Sequence, residues 1–240
     1  RLHMARRYYE ASAIWQSLIR KHMFEKLRLC PSIKGYDHLG AWNAHWHRTG
    51  YDCGPFNEFL ELKHGVTRES LLRYNGESVV VLDIGHQRAY WCGDEFTADV
   101  YVSLYGGRPL ADGVLKWRLV SGDDVLRQGA MSRIEAPDGA VTRIGTLALK
   151  FPELPSARKV RLQVEVAGDG YNLANEWDLW VFPEGQMPSV SAVADDETYR
   201  LLAGRVPGIR PVREGDNASK LRIVSALTAA DVEHLQKGND

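Results

Sequence analysis

Cysteine is scarce in this 240-residue chain. Cys30, Cys53 and Cys92 are odd in number and follow no metal-ribbon spacing, so neither a disulfide framework nor a zinc ribbon is encoded, and at most one disulfide can form. No apolar run approaches the roughly 18 residues of a membrane-spanning helix. An excess of one charge sign is missing too: 30 Lys and Arg stand against 31 Asp and Glu, a formal net charge of −1. No basic tract marks a nucleic-acid or polybasic membrane contact, so neither nucleic acid nor membrane is expected as a partner. There is no internal repeat, no low-complexity tract and no visible signal peptide. No cofactor is expected. The chain opens Arg1-Leu2-His3 already inside a helical pattern, which reads as a piece of something longer.

What is abundant is aromatic. Seven Trp and ten Tyr are many for this length. Flat aromatic faces suit stacking on sugar rings, although cores and interfaces absorb most Trp and Tyr in any protein. At 44% hydrophobic and 25% charged residues, the chain has the balance of a globular protein.

Residues 2–29 read as one amphipathic helix. Tyr8, Ser12, Trp15, Ile19, Met23 and Leu27 recur at spacings of three to four with Leu18 beside them, while Arg6, Glu10, Arg20, Glu25 and Arg28 fall on the other face. Pro31 ends it. Residues 33–42, "IKGYDHLGAW", read as a strand opening into a polar, aromatic loop. Residues 57–78 read as a partly helical connector with Thr67 as N-cap. From Val79 the period changes to two. Segments 79–84, 96–106, 114–121, 124–132, 142–151, 159–168 and 176–184 alternate and are separated by Gly, Pro and Asp turns, the pattern of an immunoglobulin-like β-sandwich. Val100, Val102 and Leu104 share one face, as do Leu115, Trp117 and Leu119, and Trp117 is placed to be buried. Beyond Pro183, a short helix (195–204), a strand (220–225) and a capped helix (228–238) resemble the beginning of an α/β domain.

The densest chemistry lies in "GAWNAHWHRTGYDCGPFNEF", residues 40–59. His45 and His47, two apart on a strand, would project to one side, and Asp52 or Cys53 could complete a zinc site. This is one reading, a metal-dependent hydrolase; hydrogen bonding of sugar hydroxyls by neutral His and simple packing of the loop are the others, and no metal is assigned. Trp42 is the candidate sugar platform. Asn43, His45, Trp46, His47, Asp52 and Asn57 are candidate substrate contacts. Asn57-Glu58 imitates the dipeptide that carries a glycosidase acid/base. No second carboxylate lies nearby in a matching context, so Glu58 is only a weak catalytic candidate. Of Trp177 and Trp180, opposite in parity, one should face the core and one outward.

Helix, "CPSIKGYDHLGAW", aromatic loop and a sandwich closing in "NEWDLWVFPE" resemble the C-terminal portion of family-2 glycoside hydrolases and their beta-galactosidase-like relatives, over residues 5–184. Pro31-Ser32-Ile33-Lys34-Gly35-Tyr36, Trp42 and Asn175-Glu176-Trp177 carry the resemblance. It implies an α+β multidomain fragment: the terminal helix, strand and loop of a (β/α)8 barrel (1–56), a connector (57–78), the immunoglobulin-like sandwich (79–184), and a linker with the beginning of a further α/β domain (185–240). It also implies that both catalytic carboxylates lie upstream of Arg1, and that the partners are carbohydrate and the remainder of the barrel. The alternative is a non-catalytic carbohydrate-binding or interaction module built on the sandwich.

Overall fold

The computed structural model describes residues 2–30, 32–33, 35–38, 40–43, 54–183, 192–204, 206, 208–213 and 221–236. The chain divides into two compact units, Arg1–Pro183 and Glu184–Asp240.

The first unit opens with α1 (Leu2–Leu29), whose last turn carries Lys26 and Arg28, charges that complement the partial negative charge of a helix C-terminus. α2 (Arg68–Asn75) begins at Thr67, which caps the Ser70 amide while the Ser70 hydroxyl accepts from the Thr67 amide. Eight strands follow: β1 (Val79–Asp83), β2 (Ala89–Trp91), β3 (Glu95–Leu104), β4 (Leu110–Ser121), β5 (Asp124–Ala136), β6 (Ala140–Lys150), β7 (Arg158–Gly168) and β8 (Tyr171–Phe182). They form two sheets, ordered β1-β3-β6 and β2-β8-β7-β4-β5. The chain changes sheet on either side of β2, between β3 and β4, and again on either side of β6, so one core is closed by long-range pairing. All pairs are antiparallel except β2 on β8. Period-two alternation turns Val100, Val102, Leu115, Leu119, Leu162 and Leu179 inward to full burial. Each such side chain contributes roughly 1.5–3 kcal/mol of transfer free energy. The β4–β5 hairpin turns through Gly122-Asp123, with Gly122 at φ 61°, a conformation that glycine adopts without strain.

One buried cluster seats α1 on the sandwich. Glu25, only 5% exposed, accepts from the Asn175 amide (2.9 Å) and the Trp177 indole N–H (3.2 Å), and pairs with Lys21 one turn earlier. The Lys21 ammonium lies 4.4 Å from the centre of the Trp177 ring, a cation–π contact. The same Asn175 amide donates to the Val80 carbonyl of β1 (2.9 Å), so helix and both sheets meet at one side chain. At the helix end, Arg28 donates to the carbonyls of Tyr74 and Gly76 and to the Ser103 hydroxyl.

This seat inverts the expected orientation of α1. Ala13, Arg20, Phe24 and Glu25 are buried, whereas Tyr8, Trp15 and Met23 are 69%, 63% and 57% exposed. Arg20, Glu25 and Arg28, assigned above to the solvent face, lie on or beside the packed one. The helix docks where its polar side chains find fixed partners, and those partners are remote in sequence. The strand expected over 33–42 does not form among the described residues. Trp42 makes an isolated bridge to Phe56, and the described residues of the segment, with no adjacent strand among the described residues to pair with, stay irregular. No barrel end is evident among the described residues, correcting that part of the expected fold.

Two further differences concern the sandwich. β2 escaped the sequence reading because three residues are too few to display alternation. Trp117 points inward between two fully buried leucines but is only half-buried, its ring lying across Gly129 on the neighbouring strand. A Cβ at position 129 would come within 2.6–2.8 Å of that indole. Among the described tryptophans the enclosed one is Trp177, 5% exposed, while Trp180 faces out.

The second unit contains β9 (Ala192–Ala194), α3 (Asp196–Leu202), β10 (Ile209–Pro211), β11 (Leu221–Ile223) and α4 (Ala229–Gln236). Its three described strands are parallel in the order β10-β9-β11, with the central Ala-Val-Ala fully buried. Asp195 caps α3 through the Thr198 amide (2.7 Å) and accepts from the Ser225 amide (2.6 Å), tying the ends of β9 and β11 together.

Two outcomes are expected. Glu25→Ala strands the Lys21 ammonium and two interior donors, and should lower unfolding stability by roughly 3–5 kcal/mol in urea titrations. The Thr198 and Ser225 amides bonded to Asp195 hold its carboxyl down from 3.8 to about 2. A depressed carboxylate contributes stability above its unfolded pKa and loses it as pH falls through the folded value. Amide exchange in β9 and α3 should therefore accelerate as pH falls from about 4 to 2 beyond the intrinsic chemistry, and Asp195→Asn should remove that acceleration.

Candidate functional site

A groove of about 420 Å³ runs within the first unit between α1, α2 and the outer surface of β8. Helical spacing brings Trp15, Leu18, Ile19 and His22 to one side of it. Strand alternation supplies the other side: Asn175, Trp177 and Leu179 turn inward, so Glu176, Asp178 and Trp180 turn out. Trp15 and Trp180 are 63% and 40% exposed, and both line the groove. The Glu25 cluster forms its floor.

Cations of the chain answer each carboxylate along this surface. Glu25 pairs with Lys21, Glu176 with Arg73 (2.5 Å) and Arg161 (3.6 Å), and Asp178 with Lys159 (2.7 Å) and Arg161 (3.3 Å). Burial pushes the Lys21 ammonium below its ordinary pKa, opposed by the charge of Glu25. His22 packs 5.3 Å from the His86 ring. Burial holds the His22 imidazole below its ordinary value, helped by the charges of Arg88, Lys26 and His86, so it is predominantly neutral at pH 7 and can both donate and accept a hydrogen bond. The result is an apolar, aromatic cleft edged by fixed polar groups, of a size typical of small-molecule sites.

The sequence-assigned residues lie elsewhere or beyond the described part. His45, Trp46, His47 and Asp52 are outside the described residues, as is Cys53. Trp42 is 46% exposed on its bridge to Phe56. Asn43 is buried, its amide donating to the Phe56 carbonyl at 3.1 Å. Asn57 organises its own turn: its Oδ1 accepts from the Phe59 and Glu61 amides and its Nδ2 donates to Glu61, all at 2.9 Å. Glu58 is exposed within that turn. Among the described residues no group of three or more His, Cys, Asp or Glu is arranged to hold a metal ion. Cys30 and Cys92 are free thiols, Cys92 buried with its Sγ accepting from the Leu154 amide (3.3 Å). No described helix is long and apolar enough to cross a membrane.

The groove itself was missed because its walls come from five segments spread along the sequence. Two local signals pointed to it: Trp15 in the middle of α1, and the outward Trp180 on β8.

A family model described as Domain of unknown function (DUF8488) matches residues 94–183, from just before β3 to just after β8. No curated protein matches the sequence. Similar solved structures include a family 123 glycoside hydrolase from Clostridium perfringens, 10% identical with a TM-score of 0.33, covering 45% of this chain and 25% of that one. The beta-glucuronidase of Parabacteroides merdae is 12% identical with a TM-score of 0.29, covering 42% of this chain and 14% of that one. The CARDB domain of a Pyrococcus furiosus protein is 11% identical with a TM-score of 0.32, covering 45% and 96%. The chain thus spans about a quarter of the Clostridium hydrolase and about a seventh of the Parabacteroides enzyme. Glycoside hydrolases are among these weak neighbours, without a family assignment for the chain.

Proposed function

We propose that this chain is a non-catalytic segment of a glycoside-hydrolase-type protein, and that its immunoglobulin-like sandwich, with α1 seated on it, binds carbohydrate in the groove between α1 and β8. The observation that supports this reading is the pair of exposed indoles, Trp15 and Trp180, lining a cleft edged by charged side chains that are already held in place. A sugar ring presents an apolar C–H face and a rim of hydroxyls. Aromatic walls suit the face, and paired Arg and carboxylate groups suit the rim. The motif-level resemblance carried by Asn175-Glu176-Trp177 points to the same class of parent protein. Each groove carboxylate is engaged by a cation, which suits binding and not the proton transfer a retaining hydrolase asks of one carboxyl.

A second reading draws on a separate observation. Met4, Tyr8, Tyr9, Ile14 and Met23 leave much of α1 apolar and exposed. Such a stripe suits docking against another protein body, in this reading the remainder of a catalytic barrel.

The binding reading is tested by titrating the chain with a panel of neutral and acidic oligosaccharides while following tryptophan fluorescence, with calorimetry in parallel. At least one saccharide should bind saturably, and Trp180→Ala should weaken it by about 10-fold or more without lowering stability. No binding anywhere on the panel, or unchanged affinity in both Trp180→Ala and Trp15→Ala, contradicts the reading. The same preparation should release no product from aryl glycosides, and turnover abolished by Glu58→Gln would make the chain an enzyme.

A further inference from the structure

Arg88 differs from every other cation that lines the groove. Lys21, Arg73 and Arg161 each meet a carboxylate of the chain. Arg88 makes no direct ion pair among the described residues, and the Glu25 charge reaches it only at longer range. Its side-chain hydrogen bonds among the described residues all leave from one nitrogen, Nη1, to the backbone carbonyls of Ile84 (3.3 Å), Gly85 (3.0 Å) and Gln87 (2.9 Å). Nε and Nη2, which carry three further N–H donors, have no partner among the described residues. The residue is nonetheless fixed in place. Its carbonyl accepts from the Trp180 amide at 2.8 Å, so its backbone is tied to the strand residue that carries one aromatic wall. Half-buried and held by three carbonyls, the guanidinium is positioned before any ligand arrives.

Among the described lining residues, four cations face three carboxylates. An arginine that stays charged, is partly removed from water and keeps its fork of donors unused is suited to a planar anion. His22 at the same end adds a neutral imidazole donor and acceptor, with the His86 ring 5.3 Å away.

We infer that the groove takes a saccharide carrying a carboxylate, a uronate, with the sugar face against the tryptophan walls and the carboxylate on the unused donors of Arg88. This rests on the carbohydrate-binding reading above and names its ligand class.

The experiment compares trigalacturonate with cellotriose and xylotriose by calorimetry, at low and high salt. The uronate should bind at least 10-fold more tightly than either neutral sugar, and the preference should shrink as salt rises. Arg88→Met, which keeps the length of the side chain and removes its charge, should bring uronate affinity down to the level of the neutral sugars, and Arg88→Lys should keep part of the preference. If Arg88→Met does not fold, wild-type preference and its salt dependence decide the matter: their presence supports the inference and their absence overturns it. Equal binding of acidic and neutral sugars overturns this inference and leaves the carbohydrate-binding reading standing. Failure of all three to bind, under conditions where another saccharide of the wider panel does, also overturns only the uronate assignment. Failure of every saccharide overturns both.

Discussion

A single buried carboxylate seats α1 on the sandwich. Glu25 is carried on a helix, yet its partners are the Asn175 amide and Trp177 indole of β8, some 150 residues later in the chain. Removing a carboxylate from water is costly unless every lone pair is used and a counter-charge is near. Here Lys21 supplies the charge and two interior donors supply the hydrogen bonds. Because Asn175 also reaches the Val80 carbonyl on β1, the same side chain ties the helix to both sheets. β1 borders its sheet with β3 on one side only. A side-chain amide on one of its carbonyls satisfies a group that a bare edge would leave to solvent or to another chain.

The groove follows from that seat. Once Glu25 fixes the rotation of α1, Trp15, Leu18 and Ile19 face the outer surface of β8. The residues that β8 turns outward between its core positions then become the opposite wall. The charge ladder along Glu176 and Asp178 orders the long Arg and Lys side chains across this wall. As exposed pairs these bridges contribute little to stability. Their physical effect is to hold polar groups in place beside an aromatic surface, which lowers the entropy cost of engaging a ligand. The rotation that makes the groove also leaves the remaining apolar stripe of α1 in solvent.

How much of this was legible in the sequence depends on range. The long strands were legible because alternation is a local signal, and Val100, Val102 and Leu104 lie where period two places them. β2 and β9, three residues each, carry no readable period. The existence of α1 was legible from its 3.6-residue spacing, but its orientation was not. A local hydrophobic pattern favours burying Tyr8, Trp15 and Ile19, and only the distant Asn175 and Trp177 make burial of Glu25 the better solution. The crowded stretch 40–59 drew attention by composition. Among its described members Asn57 organises its own turn and Trp42 bridges to Phe56, while His45, Trp46, His47 and Asp52 fall outside the described residues. The groove combines α1, α2, the β1–β2 connection, β7 and β8, and no window of sequence displays such an assembly.

The most direct test of this account reads the Trp177 indole proton. Seven tryptophans give seven indole N–H signals, assignable by single substitution. If Trp177 donates to a buried Glu25, its indole proton should exchange with solvent only through unfolding of the unit, far more slowly than those of Trp15 and Trp180, and Glu25→Gln should shift its resonance and speed its exchange. A Trp177 indole that exchanges as fast as the exposed pair, or that is indifferent to Glu25→Gln, would mean that α1 is not seated by this carboxylate and that the groove does not form as described.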